Sequence, residues 1–386
     1  MTLLLVLIYA AFISLGLPDS ILGSAWPAMQ PDLGAPLSLA GALSLVVSVC
    51  TVVSSAVSVR VIARFGVGRV TLVSVAMTAL ALIGYAAAPG FWALCLLALP
   101  LGLGAGSVDA ALNNFVATNY EARHMSWLHC FWGVGATAGP LIMSFWIARS
   151  AGWRGGYLSI GCIQLALTLV LLFSLRLWRS GEGGNGPSEK PLVLSFRQMA
   201  ALPCAGAAFL TFFCYCALEQ AVGLWGASYL TGARGFSAAE AATCMSLYYF
   251  GITAGRLVTG FFAGKFSDAR LIRIGELVIF FGLALLVLPD SAYIPPTALL
   301  LIGLGCAPVF PSMLHRTPEL FGTASSQAMT GAQMSCAYMG VTLMPPIFGL
   351  AAQRVSVSLL PLYCAALFGG MLLCTEHIRR RGSRKS

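Results

Sequence analysis

The segment Ala63-Arg-Phe-Gly-Val-Gly-Arg69 returns 201 positions later as Gly264-Lys-Phe-Ser-Asp-Ala-Arg270, with the basic residues and the phenylalanine in register. Three further pairs have nearly the same offset: Gly102-Leu-Gly104 with Gly303-Leu-Gly305, Asp19-Ser-Ile-Leu-Gly23 with Glu219-Gln-Ala-Val-Gly223, and Gly135-Ala-Thr-Ala-Gly-Pro140 with Gly340-Val-Thr-Leu-Met-Pro345. One such match would be chance, but four at offsets between 200 and 205 indicate a duplicated unit. The sequence therefore predicts two related halves.

Each half consists of long apolar runs. The 386 residues are 58% hydrophobic and 9% charged, whereas a typical soluble domain is about 45–50% apolar and about 25% charged. A membrane-spanning helix needs roughly 20 apolar residues. The runs lie at about 3–26, 37–59, 70–88, 92–118, 127–148, 156–177, 203–230, 238–263, 271–288, 296–315, 325–352 and 356–375. This composition excludes a large soluble catalytic domain, a disordered chain and a secreted disulfide scaffold, and continuous runs disfavour a membrane β-barrel.

We predict an all-α membrane protein whose 12 transmembrane helices form two pseudo-symmetric six-helix halves. The predicted parts are the N-terminal half 1–178, a cytoplasmic linker 179–199, the C-terminal half 200–375 and a basic cytoplasmic tail 376–386. Glycine, serine and proline between Arg179 and Lys190 are typical of a flexible linker. Two parallel six-helix repeats around a site near the bilayer midplane are a transporter architecture.

Lysine and arginine concentrate on alternate loops. If the N-terminus is cytoplasmic, that side holds 17 of the 22 Lys and Arg residues, the other side holds four, and Arg256 lies within a run. The positive-inside rule then places both termini in the cytoplasm and supports an even number of spans. It also explains the net charge of +9 without a nucleic-acid partner. We predict a multi-pass protein of the cell membrane, surrounded by lipid bilayer, and expect a monomer.

The sequence contains no recognisable cofactor, metal or catalytic motif. The twelve cysteines include no CxxC pair and lie almost all inside apolar runs, where they are typical of small packing residues. The four histidines are scattered, and no phosphate-binding loop or nucleophile–histidine constellation is present. We therefore expect neither a cofactor, nor a bound metal, nor an enzyme activity.

Three acidic residues, Asp19, Asp109 and Glu219, lie inside apolar runs. A charged side chain at mid-bilayer costs at least about 2.5–3.5 kcal/mol, and a carboxyl group in a nonpolar medium holds its proton more tightly than one in water. We predict that these groups couple transport to protons. Two structural alternatives remain: Asp19 caps a helix broken at Pro18, and Asp109 clamps helices by hydrogen bonds, since it shares a face with Asn113.

Polar and aromatic residues within the runs suit a polar solute with an apolar face, such as a sugar. This predicted substrate-binding set is Asn113, Asn114, His129, Trp132, Gln220, Trp225, Tyr248 and Gln333. The alternative is packing, since aromatic residues at helical spacing and a single histidine near a helix end more often serve the structure. A predicted gating or structural set is Arg64, Arg69, Lys265 and Arg270 in the repeated loops, with Arg256, which would snorkel to the interface or pair with an acid.

At these residues the chain resembles the major facilitator superfamily over essentially its whole length. The loop Arg64–Arg69 is similar to the superfamily's loop between spans two and three, with Ala63 where an acid is usual and Val59 where glycine is usual. Within the superfamily the chain is most similar to the fucose–proton symporter group. The segments that carry this likeness are Asp109-Ala-Ala-Leu-Asn-Asn-Phe-Val116, Leu128-His-Cys-Phe-Trp-Gly-Val-Gly-Ala-Thr-Ala-Gly-Pro140 and Pro308-Val-Phe-Pro-Ser-Met313.

The resemblance implies roles for four of the candidate residues. Asp19 and Asp109 match the group's two essential membrane carboxylates in spans one and four. His129 and Trp132 match its sugar-contacting positions in span five, where this chain has a tryptophan instead of an amide.

The expected function is proton-coupled symport of a small polar solute, such as a sugar, by alternating access. The alternative is proton-coupled efflux of drugs or metabolites. Gly135–Pro140 partly matches the antiporter signature of span five, with Met143 and Ser144 where two glycines are expected. A transporter-like receptor that moves nothing is disfavoured, because the tail after Glu376 is too short for a binding module.

Overall fold

The structure, a computed structural model, describes residues 2–178, 194–262, 265–288 and 293–382, and within those ranges it contains helices and no β-strand. Most of the predicted linker, residues 179–193, and the last residues of the predicted tail, 383–386, lie outside the described residues.

The first half contains six spans. Its helices are α1 (Thr2–Asp19), α2 (Ile21–Asp32), α3 (Leu39–Phe65), α4 (Val67–Ala87), α5 (Phe91–Asn119), α6 (Ala122–Ile147) and α7 (Gly152–Trp178). Helices α1 and α2 follow one another with only Ser20 between them and together form the first span.

The second half also contains six long helices. The helices are α8 (Phe196–Ala200), α9 (Ala205–Arg234), α10 (Ala238–Phe262), α11 (Asp268–Leu286), α12 (Ile294–His315), α13 (Thr317–Phe321), α14 (Thr323–Arg354) and α15 (Leu360–Gly382). Helices α8 and α13 are short connectors of five residues each. The described residues thus confirm the all-α fold and its two sets of six long helices.

The outer surface of the bundle suits lipid. Ten of the long helical segments among the described residues are long and apolar enough to cross a membrane. The other two are α10, which contains Glu240 and Arg256, and α11, which begins at Asp268. Large apolar side chains are exposed on the outside, including Trp92 and Phe173. Exposed apolar surface on this scale indicates a partner other than water, here the bilayer.

The first span is interrupted where Pro18 predicts a kink. Proline lacks the N–H group that would bond the carbonyl of residue 14, four positions earlier. Gln164 of α7 replaces that donor, because its Nε2 lies 2.6 Å from the carbonyl oxygen of Ser14. Ser20, at the interruption, donates to the carbonyl of Leu17 at 3.2 Å. The break therefore leaves these backbone groups bonded and places Asp19 at the end of α1.

The two halves meet closely at a pair of repeat-related glycines. Gly23 of α2 lies against Gly223 of α9, so closely that a β-carbon at position 23 would overlap the carbonyl oxygen of Gly223 and come 2.8 Å from the α-carbon of Leu224. Two glycines at equivalent positions in contact are what a pseudo-two-fold axis between the halves produces.

One end of the bundle is closed by bonds between the halves. We call the end where α1 begins and α15 ends the terminal end, and the end where α2 ends and α3 begins the opposite end. At the opposite end, Ser38 N–H donates to Gln353 Oε1 at 3.1 Å. The hydroxyls of Ser144 and Thr243 lie 2.8 Å apart there.

Two helix limits differ from the sequence prediction. Helix α6 begins at Ala122 rather than near residue 127, so His129 lies about two turns into the helix rather than at its start. Helix α15 continues to Gly382, so Arg379, Arg380 and Arg381 of the predicted basic tail lie on its last turns.

Candidate functional site

Two adjoining chambers lie between the halves at the centre of the bundle. The chamber nearer the opposite end, which we call the opposite chamber, has a volume of about 240 Å³, and the terminal chamber has about 300 Å³. They share a wall whose residues come from both halves: Asp19, Thr51, Ala105, Trp132, Glu219, Gln220, Tyr338 and Val341. Both of the repeat-related acids, Asp19 and Glu219, therefore face both chambers.

The shared wall contains a chain of polar contacts across the interface. Trp132 Nε1 donates to Asp19 Oδ2 at 2.8 Å. The contact on the side of the second half is ionic: Arg256 Nη2 lies 4.0 Å from Glu219 Oε1. The Arg256 guanidinium also lies 5.2 Å from the ring centre of Trp132, within cation–π range. Trp132 thus connects the acid of the first half to the ion pair of the second.

The terminal chamber adds the third acid. Asp109 lines it together with His129 and Arg256. Asn113 Nδ2 donates to Asp109 Oδ1 at 2.9 Å, as the shared helical face predicts. His129 packs edge-on against Phe12, with 6.0 Å between ring centres. Asp109 and Asp19 each have a neutral hydrogen-bond partner, and among the described residues no basic side chain lies within ion-pair distance of either.

Some of the predicted site residues line the chambers and others do not. Asp19, Asp109, Glu219, His129, Trp132, Gln220 and Arg256 line one or both of them. Asn113 does not line either but binds Asp109, and Asn114 is exposed away from both.

Three predicted substrate residues are instead fully buried and bonded elsewhere. Trp225 Nε1 donates to the carbonyl of Pro345 at 2.8 Å. The Tyr248 hydroxyl donates to the backbone carbonyl of Glu219 at 2.9 Å. Gln333 Oε1 accepts from Thr317 at 2.9 Å. These contacts hold α9 to α10 and α14, and α13 to α14, so the three side chains serve packing in this conformation.

Sequence reasoning missed most of the hydroxyl groups in the opposite chamber. Ser44, Ser48 and Thr51 line it from α3, and Tyr85 and Tyr157 line it from α4 and α7. The three α3 residues are spaced i, i+4 and i+7, the pattern of one helical face, and that pattern could have identified them. The tyrosines carry no such signal because they stand singly in apolar spans.

The predicted gating residues of the repeated loops lie at the terminal end, far from the chambers. Arg64, Arg69, Lys265 and Arg270 are exposed. Arg64 stacks on Phe65 at 5.5 Å, and Arg270, the repeat mate of Arg69, stacks on Phe266 at 5.7 Å. The described residues contain no group of three or more His, Cys, Asp or Glu side chains placed to hold a metal.

Comparison with known proteins agrees with this architecture. The sequence signature of the Major Facilitator Superfamily matches residues 8–345 and 209–385. The chain belongs to the major facilitator superfamily. It is accordingly a multi-pass membrane transporter and not an enzyme.

Two relatives from curated sequences are distant but long matches. An uncharacterized MFS-type transporter of Yersinia pestis is 24% identical over 355 residues, 87% of this chain and 86% of the relative. The cis,cis-muconate transport protein of Acinetobacter baylyi is 24% identical over 316 residues, 77% of this chain and 74% of the relative. These relatives agree with the superfamily membership and do not assign the chain to the fucose–proton symporter group.

Solved structures share the fold at low identity. The nucleoside transporter NupG aligns with a TM-score of 0.77 and 15% identity, covering 97% of this chain and 98% of that one. The peptide transporter POT in complex with sulfate aligns with a TM-score of 0.76 and 12% identity, covering 98% and 94%. A bacterial homologue of the lysosomal transporter Spinster aligns at 0.70 with 12% identity, covering 99% and 97%. At such identities the likeness concerns the fold alone.

Proposed function

We propose that this protein is a secondary active transporter that couples proton movement to symport of a small polar solute by alternating access. The observation that carries the proposal is the meeting of three membrane carboxyl groups, Asp19, Asp109 and Glu219, on two joined chambers between the halves. Charged groups inside a membrane mark ion and substrate paths.

The two acids of the first half are the proposed proton carriers. Asp19 and Asp109 have neutral partners, Trp132 and Asn113, so a proton on either carboxylate removes a charge without leaving a cation uncompensated. A proton on Glu219 would leave Arg256 as an unpaired cation in the membrane interior, which is costly. We therefore assign Glu219 and Arg256 to a charge-balanced pair.

The direction of the cycle follows from the proposed orientation. With both termini in the cytoplasm, the opposite end faces outward, and its contacts at Ser38 and Ser144 close the outer side. Protonated Asp19 and Asp109, with solute bound, would favour rocking toward the cytoplasm, where the proton leaves. The conformational shift requires that the two states differ in proton affinity.

A carboxylate solute is a second candidate. The cis,cis-muconate transport protein is among the relatives, and Arg256 supplies a cation to the terminal chamber. A carboxylate displacing Glu219 from Arg256 would form a stronger, charge-assisted contact than the present 4.0 Å separation allows.

The test uses purified protein in liposomes with an imposed inward proton gradient and an internal pH dye. A panel of sugars, nucleosides and cis,cis-muconate is added outside, and the wild type is expected to acidify the interior in response to one of them. Asp109→Asn is expected to acidify the interior less than the wild type, because Asp19 alone would then carry protons. Glu319→Gln is the matched control, since Glu319 is exposed at the terminal end, lies 3.6 Å from Arg316 and lines neither chamber.

Two outcomes contradict the proposal. If Asp109→Asn acidifies the interior as strongly as the wild type, the Asp109 carboxyl does not carry a proton during transport. If no solute of the panel causes the wild type to acidify the interior, and the protein protects cells against lipophilic cations, the function is efflux instead.

A further inference from the structure

Two buried tyrosine hydroxyls at the opposite chamber have no hydrogen-bond partner among the described residues. Tyr85 and Tyr157 are each 1% exposed, and their rings are 5.1 Å apart between centres. Both side chains line the opposite chamber, and neither hydroxyl finds a donor or acceptor. The two helices that hold them, α4 and α7, pack side by side in the first half.

Three other tyrosines of the bundle have bonded hydroxyls. The hydroxyl of Tyr215 donates to the carbonyl of Cys306 at 2.9 Å, that of Tyr229 to Leu286 at 2.9 Å, and that of Tyr363 to Met344 at 2.7 Å. An unpaired buried hydroxyl costs about 1–3 kcal/mol, and phenylalanine would fill the same space without that cost. Five other buried polar atoms among the described residues also lack a partner, but of this group only Tyr85 and Tyr157 line a chamber, which is where a solute could pair with them.

We propose that Tyr85 and Tyr157 form a specificity subsite that hydrogen-bonds an uncharged polar group of the transported solute. A phenol hydroxyl can both donate and accept, so the groups that fit are a hydroxyl or a carbonyl oxygen. This inference rests on the proposed transport function and narrows it to neutral, oxygen-rich solutes.

The charges of the opposite chamber favour a neutral solute over an anion. Its charged lining residues are Asp19 and Glu219, and Arg256 lines the terminal chamber only. An anion in the opposite chamber would meet carboxylates without a cation.

Helix α3 adds further uncharged hydrogen-bonding groups to the opposite chamber. Ser44, Ser48 and Thr51 present hydroxyl-bearing side chains to the opposite chamber, and the amide of Gln220 adds a donor and an acceptor from α9. A solute with several hydroxyl groups could bond both walls at once, whereas an organic cation would use the carboxylates and leave the tyrosine hydroxyls unpaired.

The test measures binding to detergent-purified protein by ligand-induced thermal stabilisation and titration calorimetry. The neutral probes are D-glucose, L-fucose, D-mannitol and uridine; cis,cis-muconate is the anion and tetraphenylphosphonium the cation. At least one neutral probe is expected to bind. Tyr85→Phe and Tyr157→Phe are each expected to weaken that binding about fivefold to tenfold, the size of one hydrogen bond.

Tyr363→Phe is the matched control, because its hydroxyl is bonded and lines neither chamber. It should lower the Tm of the ligand-free protein and leave probe affinity unchanged. Tyr85→Phe and Tyr157→Phe should do the reverse, with ligand-free Tm unchanged or raised. A purely structural role of the two tyrosines cannot produce that pattern.

Three results would overturn the subsite: binding of none of the neutral probes, binding of the charged probes alone, or unchanged affinity in both phenylalanine variants. Failure of proton coupling is separate from these results. A neutral probe that binds, loses affinity in Tyr85→Phe and is carried without proton movement would retain the subsite and refute the symport proposal.

Discussion

The two halves of the bundle place an acid at the same repeat position and surround it differently. Asp19 in the first half accepts a hydrogen bond from the neutral indole of Trp132. Glu219, 200 positions later, lies beside the guanidinium of Arg256. The same duplicated scaffold thus carries one acid that can be neutralised by a proton and one that is balanced by a fixed cation.

A second position sharpens the contrast. Asp109 of the first half lines the terminal chamber. The residue 201 positions later, which corresponds to it in the second half, is Phe310, and it lines the same chamber. The first half therefore has two acids with neutral partners, and the second has one acid with a basic partner. The two halves therefore share a duplicated frame and differ in the partners of their acids.

The largest effect is expected from separating the ion pair of the second half. Arg256→Gln leaves Glu219 unpaired, and removing one member of a buried pair costs about 3–5 kcal/mol; with side chains here 20% and 22% exposed we expect about 1–3 kcal/mol. Solute exchange should fall at least tenfold in Arg256→Gln. The double variant Glu219→Gln/Arg256→Gln should recover part of this loss of exchange. A loss in the double variant equal to the sum of the losses in the two single variants would show that Glu219 and Arg256 do not interact.

The next largest effect is expected from alanine substitution of one of the two repeat-related glycines, Gly23, but not of the other, Gly223. A β-carbon at Gly23 would meet backbone atoms of Gly223 and Leu224, whereas one at Gly223 would meet only the hydroxyl end of Tyr249, at 2.7 Å. Because backbone yields less than a side-chain tip, Gly23→Ala should destabilise the closed opposite end by about 1–3 kcal/mol and Gly223→Ala by less.

Pulsed electron–electron double resonance between spin labels at the exposed positions 36 and 354, in a cysteine-free background, measures that closure and leaves the Ser38–Gln353 bond in place. The wild type and Gly223→Ala should give mainly short distances, in keeping with the Ser38–Gln353 bond. Gly23→Ala should populate longer ones. Equal distance distributions in the two alanine variants would show that the glycines are interchangeable.

The smallest effect concerns the break in the first span. The second half has Leu218 at the position corresponding to Pro18, and α9 runs without interruption. Gln164→Leu removes the donor that bonds Ser14 and should cost about 1 kcal/mol of stability. In a Pro18→Leu background the N–H group is restored, so Gln164→Leu should cost nothing further. Thermal unfolding of the four proteins checks this, and an equal cost in both backgrounds would count against the explanation.

The sequence predicts the fold to the extent that apolar runs and repeats specify it. The runs indicate the twelve spans, and the constant offset by itself pairs Asp19 with Glu219. Both features are properties of composition and of order along the chain. They survive errors of several residues in helix limits, such as the early start of α6 at Ala122.

The membership of the chambers depends on helix rotation, which the runs leave open. Trp225, Tyr248 and Gln333 look like binding residues in the sequence, but each turns toward a backbone carbonyl or side chain of a neighbouring helix. Tyr85 and Tyr157 look like packing residues, yet they line the opposite chamber with unpaired hydroxyls. Only the contacts of each side chain separate these two groups.

We infer that the first half carries the proton and that the second half carries the balanced charge. The decisive quantity is the number of protons moved per solute in liposomes for Asp19→Asn and Glu219→Gln, with solute exchange at equal pH measured on the same preparations. We expect Asp19→Asn to exchange solute while moving fewer protons per solute than the wild type, because Asp109 remains, and we expect Glu219→Gln to work more slowly at the wild-type ratio. Loss of proton movement in Glu219→Gln, with the ratio intact in Asp19→Asn, would contradict this division between the halves.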